Sequence, residues 1–133
     1  MLVDANLLVY DVLSESPFHE RAKGWWEAAL SGTTRVGLPW PSLLAFLRLV
    51  TNPRVVQVPL PMTDAWGVVD EWLEREVVWV PQPTRSHRDV LGGLLTRLHI
   101  AANHVPDAHL ASLAIEHGVT LYSNDSDFAR FTG

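Results

Sequence analysis

A chain of 133 residues with 47% hydrophobic and 19% charged side chains has the balance of one globular domain with its own core, not of a disordered segment. The absence of cysteine excludes a disulfide framework, a thiol nucleophile and any Cys-based zinc site. A formal net charge of −5 runs against the broad basic footprint of many nucleic-acid binders, although every basic residue except Lys23 is an arginine.

Met1 to Val3 reads as a first strand, after which Leu7, Leu8, Val9 and Val12 turn the pattern helical. Ser14-Glu15-Ser16-Pro17 is a break, and Pro17 suits the start of a helix from Phe18 to Leu30. Ser31-Gly32 ends that helix, and Arg35 to Leu38 reads as a short second strand. From Pro41 to Thr51, Leu43, Phe46, Leu47 and Val50 fall at i, i+3, i+4 and i+7, the buried stripe of a helix that Asn52-Pro53 stops. Thr63 or Asp64 caps another helix to Arg75, and Val77 to Val80 is the continuous apolar run of a parallel strand. Ser86 with Asp89 resembles a capping box for a helix through Leu91, Leu94, Leu95 and Leu98 to Ala101 or Ala102. Gly92-Gly93 inside it costs about 1 kcal/mol per glycine relative to alanine, which close packing of two backbones would explain. The helix from Pro106 to His117 turns Leu110, Ala111 and Ala114 inward and stops at Gly118, before a last strand from Val119 to Tyr122. The alternation predicts a single three-layer α/β/α domain over residues 1–133, with right-handed crossovers and a mainly parallel sheet. The longest apolar stretch, Leu38 to Val50, contains Pro39, Pro41 and Arg48 and is too short to span a bilayer. No basic segment precedes an apolar one at the N-terminus, so a soluble, cytoplasmic protein without membrane contact is expected.

Three acidic stretches fall beside these elements: Val3-Asp4-Ala5-Asn6, Val105-Pro106-Asp107-Ala108 and Asn124-Asp125-Ser126-Asp127-Phe128. In an open α/β sheet, residues just past the carboxyl ends of parallel strands meet at the ligand crevice. Carboxylates gathered there repel one another unless a cation lies between them, and oxygen ligands favour a hard ion such as Mg²⁺ or Mn²⁺. That points to metal-assisted phosphodiester chemistry. Each acid alone has a local explanation: Asp4 and Asp107 suit helix starts, and Asp125 and Asp127 suit a turn. Helix capping does not explain why all of them fall at neighbouring sheet ends.

These same residues resemble the motifs of PIN-domain ribonucleases, especially the VapC toxins of bacterial toxin–antitoxin pairs. The likeness rests on Leu2-Val3-Asp4-Ala5-Asn6, Asp107-Ala108-His109-Leu110-Ala111 and Ser123-Asn124-Asp125-Ser126-Asp127-Phe128-Ala129-Arg130-Phe131, in that order along nearly the whole chain. It implies a PIN-like sandwich with four to five strands and an endoribonuclease dependent on Mg²⁺, with Mn²⁺ as substitute. It also implies structured RNA, such as tRNA or rRNA, as substrate, a cognate VapB-type antitoxin and a homodimer. Asp4, Asp107 and Asp125 match the family's core catalytic and metal-binding acids, Asp127 its usual additional acid, and Asn6 and Ser123 polar neighbours. The chain stops at Phe131-Thr132-Gly133, where relatives often continue into a further strand.

The family's second acid departs from the pattern. Alignment over Leu43 to Pro53 puts that Glu at Ala45, which cannot bind metal; Ser42, one turn earlier, is a neutral and poor substitute. One metal held by Asp4, Asp107 and Asp125 is therefore expected, with a second site weakened or absent. The alternative is a PIN-like module that binds RNA or antitoxin without cutting. A haloacid-dehalogenase-like phosphatase fits less well, because Asn6 stands where it needs an acid and Lys23 lies in an early helix. His99, His104 and His109 recur every five residues, which does not align them on one helix face for zinc. The six tryptophans read mostly as core, except that adjacent Trp25 and Trp26 cannot share one buried stripe, so one is expected to face a partner. Arg48, Arg54, Arg85 and Arg88 are candidate RNA contacts.

Overall fold

The computed structural model describes residues 1–12 and 19–123. Within them the order is β1 (Leu2–Val3), α1 (Ala5–Val12), α2 (His19–Ser31), β2 (Val36–Gly37), α3 (Trp40–Val50), α4 (Met62–Leu73), β3 (Val78–Trp79), α5 (His87–Arg97), α6 (Val105–His117) and β4 (Leu121–Tyr122). A 3-10 turn, Ala102–His104, leads into α6. The break at Ser14 to Pro17 and the helix start at Phe18 lie outside the described residues.

All the described strand pairings are parallel, in the order β3-β2-β1-β4. Leu2 stands opposite both Gly37 and Leu121, and Val3 opposite Tyr122. Gly37 is required by close approach: a Cβ there would meet the Pro81 ring at 2.8 Å and the Met1 carbonyl at 3.2 Å. The two residues of β1 point to opposite faces, as a pleated strand demands. Val3 joins Leu8, Trp26, Leu43, Phe46 and Trp72 in a core built with α1 to α4, whereas Leu2 joins Leu110, Leu113 and Ala114 of α6. Two cores on two sheet faces make the three-layer α/β/α sandwich expected of the alternating elements.

Helix α3 buries Leu43, Phe46, Leu47 and Val50, the stripe its periodicity predicts. Helix α6 buries Leu110, Ala111 and Ala114 and ends at Gly118 with φ +64°, a left-handed cap that favours glycine. Helix α5 departs from expectation in three ways. It stops at Arg97, because His99 takes φ +52° and Leu98 is left exposed instead of extending the apolar stripe. Ser86 makes no capping hydrogen bond through its side chain, so the capping box does not form; its backbone amide instead donates to Thr84 Oγ1 at 3.2 Å. No backbone approaches Gly92 or Gly93: Gly92 faces open space, and Gly93 meets only the side chain of Arg97. Likewise Thr63 and Asp64 do not cap α4, whose N-cap is Pro61.

The tryptophans divide between core and surface. Trp26 is buried edge-on against Trp72 at 5.5 Å. Trp25, on the adjacent face, rests on Tyr122 of β4 at 5.6 Å, so an internal ring covers it. Trp40 and Trp66, 38% and 45% exposed, stack on each other at 6.4 Å outside the core. Among the described residues no helix is long and apolar enough to cross a membrane.

Candidate active site

The chain runs outward from β1 through β2 to β3, then returns to the other side of β1 with β4. That reversal opens a crevice at the carboxyl ends of β1 and β4. Asp4 directly follows β1, and its N–H donates to the Tyr122 carbonyl at 3.0 Å, which locks it beside β4. Its carboxylate, only 7% exposed, accepts the Ser123 hydroxyl at 2.9 Å and the backbone N–H groups of Ala5 and Asn6 at the start of α1. Burial nonetheless pushes the Asp4 carboxyl above its ordinary range, with the negative charge of Asp107 adding to the rise and the hydrogen bonds opposing it.

Asp107 comes from the first turn of α6, behind Pro106, where the exposed amides of a helix start favour a carboxylate. His104 Nδ1 lies 3.4 Å from Asp107 Oδ2. Asp4, Asn6 and Asp107 share a cleft of about 210 Å³ with Ser42, Ala45 and Arg48 of α3. Ala45 thus lies on the wall of the cleft, where the missing acid was expected to matter. Among the described residues Ser42 Oγ is buried without a hydrogen-bond partner, a state that costs about 1–3 kcal/mol.

The structure brings Asp4, Asp107, Asn6 and Ser123 together at one crevice. Asp125 and Asp127 lie outside the described residues. Of the four candidate arginines, Arg48 reaches the cleft; Arg54, Arg85 and Arg88 are exposed elsewhere. His104 was missed as a neighbour of Asp107; the signal available was their i, i+3 spacing at a helix start. The unpartnered hydroxyl of Ser42 left no trace in the sequence. His109 stays away from the cleft and packs edge-on against His87 at 4.9 Å; burial and His87 hold its imidazole below the usual range.

The donor set fits a hard divalent cation. Two carboxylates, Asp4 and Asp107, line the same cleft, and their oxygen chemistry suits Mg²⁺ or Mn²⁺. Among the described residues no group of three or more His, Cys, Asp or Glu side chains is placed to enclose an ion. Asp4 and Asp107 are the two described carboxylates on the cleft lining that could hold such an ion.

Comparison with known proteins gives a consistent picture. Residues 1–133 match the PIN domain family model. Ribonuclease VapC37 of Mycobacterium tuberculosis is 45% identical over 132 residues, covering 99% of this chain and 92% of that protein. Ribonuclease VapC33 of the same species is 41% identical over 131 residues, covering 98% and 92%. The fold is similar to that of M. tuberculosis VapC20, a sarcin–ricin loop cleaving toxin, with a TM-score of 0.71 at 19% identity over 97% of this chain and 92% of that one. It is also similar to VapBC2 from Rickettsia felis, solved bound to a fragment of promoter DNA, with a TM-score of 0.70 at 19% identity over 98% and 91%.

Proposed function

Because the chain belongs to the PIN-domain family and is similar along its whole length to VapC ribonucleases, we propose that it is the toxin of a VapBC-type pair, an endoribonuclease that cuts structured RNA. The RNA is tRNA or ribosomal RNA, and its cleavage stops translation. The ion is Mg²⁺, which Mn²⁺ can replace. The protein acts in the cytoplasm as a homodimer and is silenced by a VapB-type antitoxin.

Asp4 and Asp107 would hold the ion, with Asp125 and then Asp127 supplying further oxygens from the segment after β4. When bound, the ion supplies Lewis acidity, which lowers the pKa of a water and polarises the scissile phosphodiester. The protein's own part is geometry. Ser123 and the first amides of α1 fix the Asp4 carboxylate, and His104 stands against Asp107. Asn6 adds a polar edge to the cleft, while Leu49, Pro106 and Leu110 give it apolar sides that limit water.

The observation that carries this reading is the convergence of Asp4 and Asp107 at the crevice where the strand order reverses, with Asp4 burdened by both burial and like charge. The test is incubation of antitoxin-free protein with folded tRNA and ribosomal RNA in Mg²⁺, Mn²⁺ or EDTA, alongside Asp107→Asn. Discrete fragments that disappear with EDTA and with Asp107→Asn are expected. Ala45 favours a second reading, a module that binds RNA or antitoxin without cutting. Intact RNA under every metal condition, with binding retained, would replace the first reading by the second.

A further inference from the structure

The cleft has two chemically unlike walls. Asp4 and Asp107 make one of them an acceptor wall that draws in cations. The other is a face of α3, where Pro41, Ala45 and Arg48 follow at i, i+4 and i+7 with Ser42 beside them. Ser42 sits beside them only 1% exposed, with its hydroxyl closed off from solvent. Arg48 is exposed at the other end of the same face and makes no ion pair among the described residues. Between them Ala45 presents only a methyl group. The space measures about 210 Å³, several times the ~30 Å³ share of one water.

We propose that this face of α3 is a phosphate subsite, in which the exposed Arg48 guanidinium donates to the non-bridging oxygens of an RNA backbone phosphate facing the acidic wall. The proposal rests on the ribonuclease reading and deepens it. Guanidinium is suited to the task because its planar fork pairs with two phosphate oxygens at once. Ala45 belongs to the subsite by what it leaves out: a carboxylate there would neutralise Arg48 and repel the phosphate. Charge balance in the cleft then comes from one cation at the acids and one arginine on α3.

The test measures binding, not turnover. The full chain is titrated in EDTA with a fluorescein-labelled 20-nucleotide RNA hairpin at several salt concentrations, and separately with Mn²⁺ by electron paramagnetic resonance. Arg48→Gln is expected to weaken hairpin binding by roughly fivefold and lower the salt slope by about one, with Mn²⁺ affinity unchanged. Ala45→Glu moves the two readouts in opposite directions, with Mn²⁺ bound more tightly and the hairpin less tightly. An Arg48→Gln protein that binds the hairpin with the wild-type affinity and salt slope overturns the proposal. So does one that loses Mn²⁺ and hairpin together, because Arg48 would then support the acidic wall. Failure of the ribonuclease reading looks different: RNA stays uncut in every metal while the Arg48 dependence of binding persists.

Discussion

Asp4 shows how several weak interactions hold a group that burial disfavours. Ser123 donates to it at 2.9 Å and two helix-start amides assist, yet burial and Asp107 still leave its carboxyl above the usual range. Polar neighbours of this kind act on metal affinity more than on fold stability, since their loss commonly costs 10–100-fold in affinity or activity. Ser123→Ala is therefore expected to weaken Mn²⁺ binding by about tenfold while costing only about 1 kcal/mol of stability. Mn²⁺ titration and urea melts of the same preparation check this; equal affinities in the two proteins would remove Ser123 from the site. Asp4, Asp107 and Ser123 were readable because each borders a strand or helix end whose apolar pattern is strong. His104 and Ser42 were not. A histidine gains meaning from the turn that aims it, and a hydroxyl's missing partner is a property of three-dimensional surroundings alone.

Helices α5 and α6 are joined by a buried polar cluster that the sequence pattern did not announce. The fully buried Glu116 carboxylate accepts the Thr84 hydroxyl at 2.6 Å, the Thr84 amide at 2.8 Å and the Ser112 hydroxyl, and it faces His87 Nδ1. Burial alone would raise its pKa; the hydrogen bonds from Ser112, Thr84 and His87 outweigh that and lower it from 4.5 to about 2. A carboxylate depressed in the folded state stabilises the fold above its unfolded pKa, and that contribution is lost as pH falls from about 4.5 towards about 2. Glu116→Gln is expected to cost about 1–3 kcal/mol at pH 7 and much less at pH 3, measured by urea melts at both. A difference that does not shrink in acid would refute the sign. The regular α3 was readable from its period. At the start of α5 the expected N-cap position, Ser86, is correct, but its capping box with Asp89 does not form, and the anchoring partner, Glu116, lies a whole helix away.

Across the whole domain, the sheet order β3-β2-β1-β4 explains why residues from opposite ends of the chain meet. Alternating strand and helix signals made the α/β class readable, but strand order is a matter of long-range pairing that no local pattern encodes. Because Asp4 and Asp107 come together only in the folded chain, an ion held between them would stabilise the fold by linkage. At a hundredfold excess over Kd the gain is about 2.7 kcal/mol, roughly 10 °C in Tm for a domain of this size. Thermal melts with and without Mn²⁺ should show that rise in the wild type and its absence in Asp107→Asn; an equal rise in both would place the ion elsewhere.

The alternation along β1 has one more consequence. Leu2 serves the core under α6, Val3 the core under α1 to α4, and Asp4 the crevice, so three consecutive residues answer to three separate environments. A one-residue insertion or deletion here would swap the two apolar side chains between faces and carry the carboxylate out of reach of Ser123. Substitutions in this strand can be graded in their effect, but its length cannot drift: β1 is a ruler, and the site is read off its end.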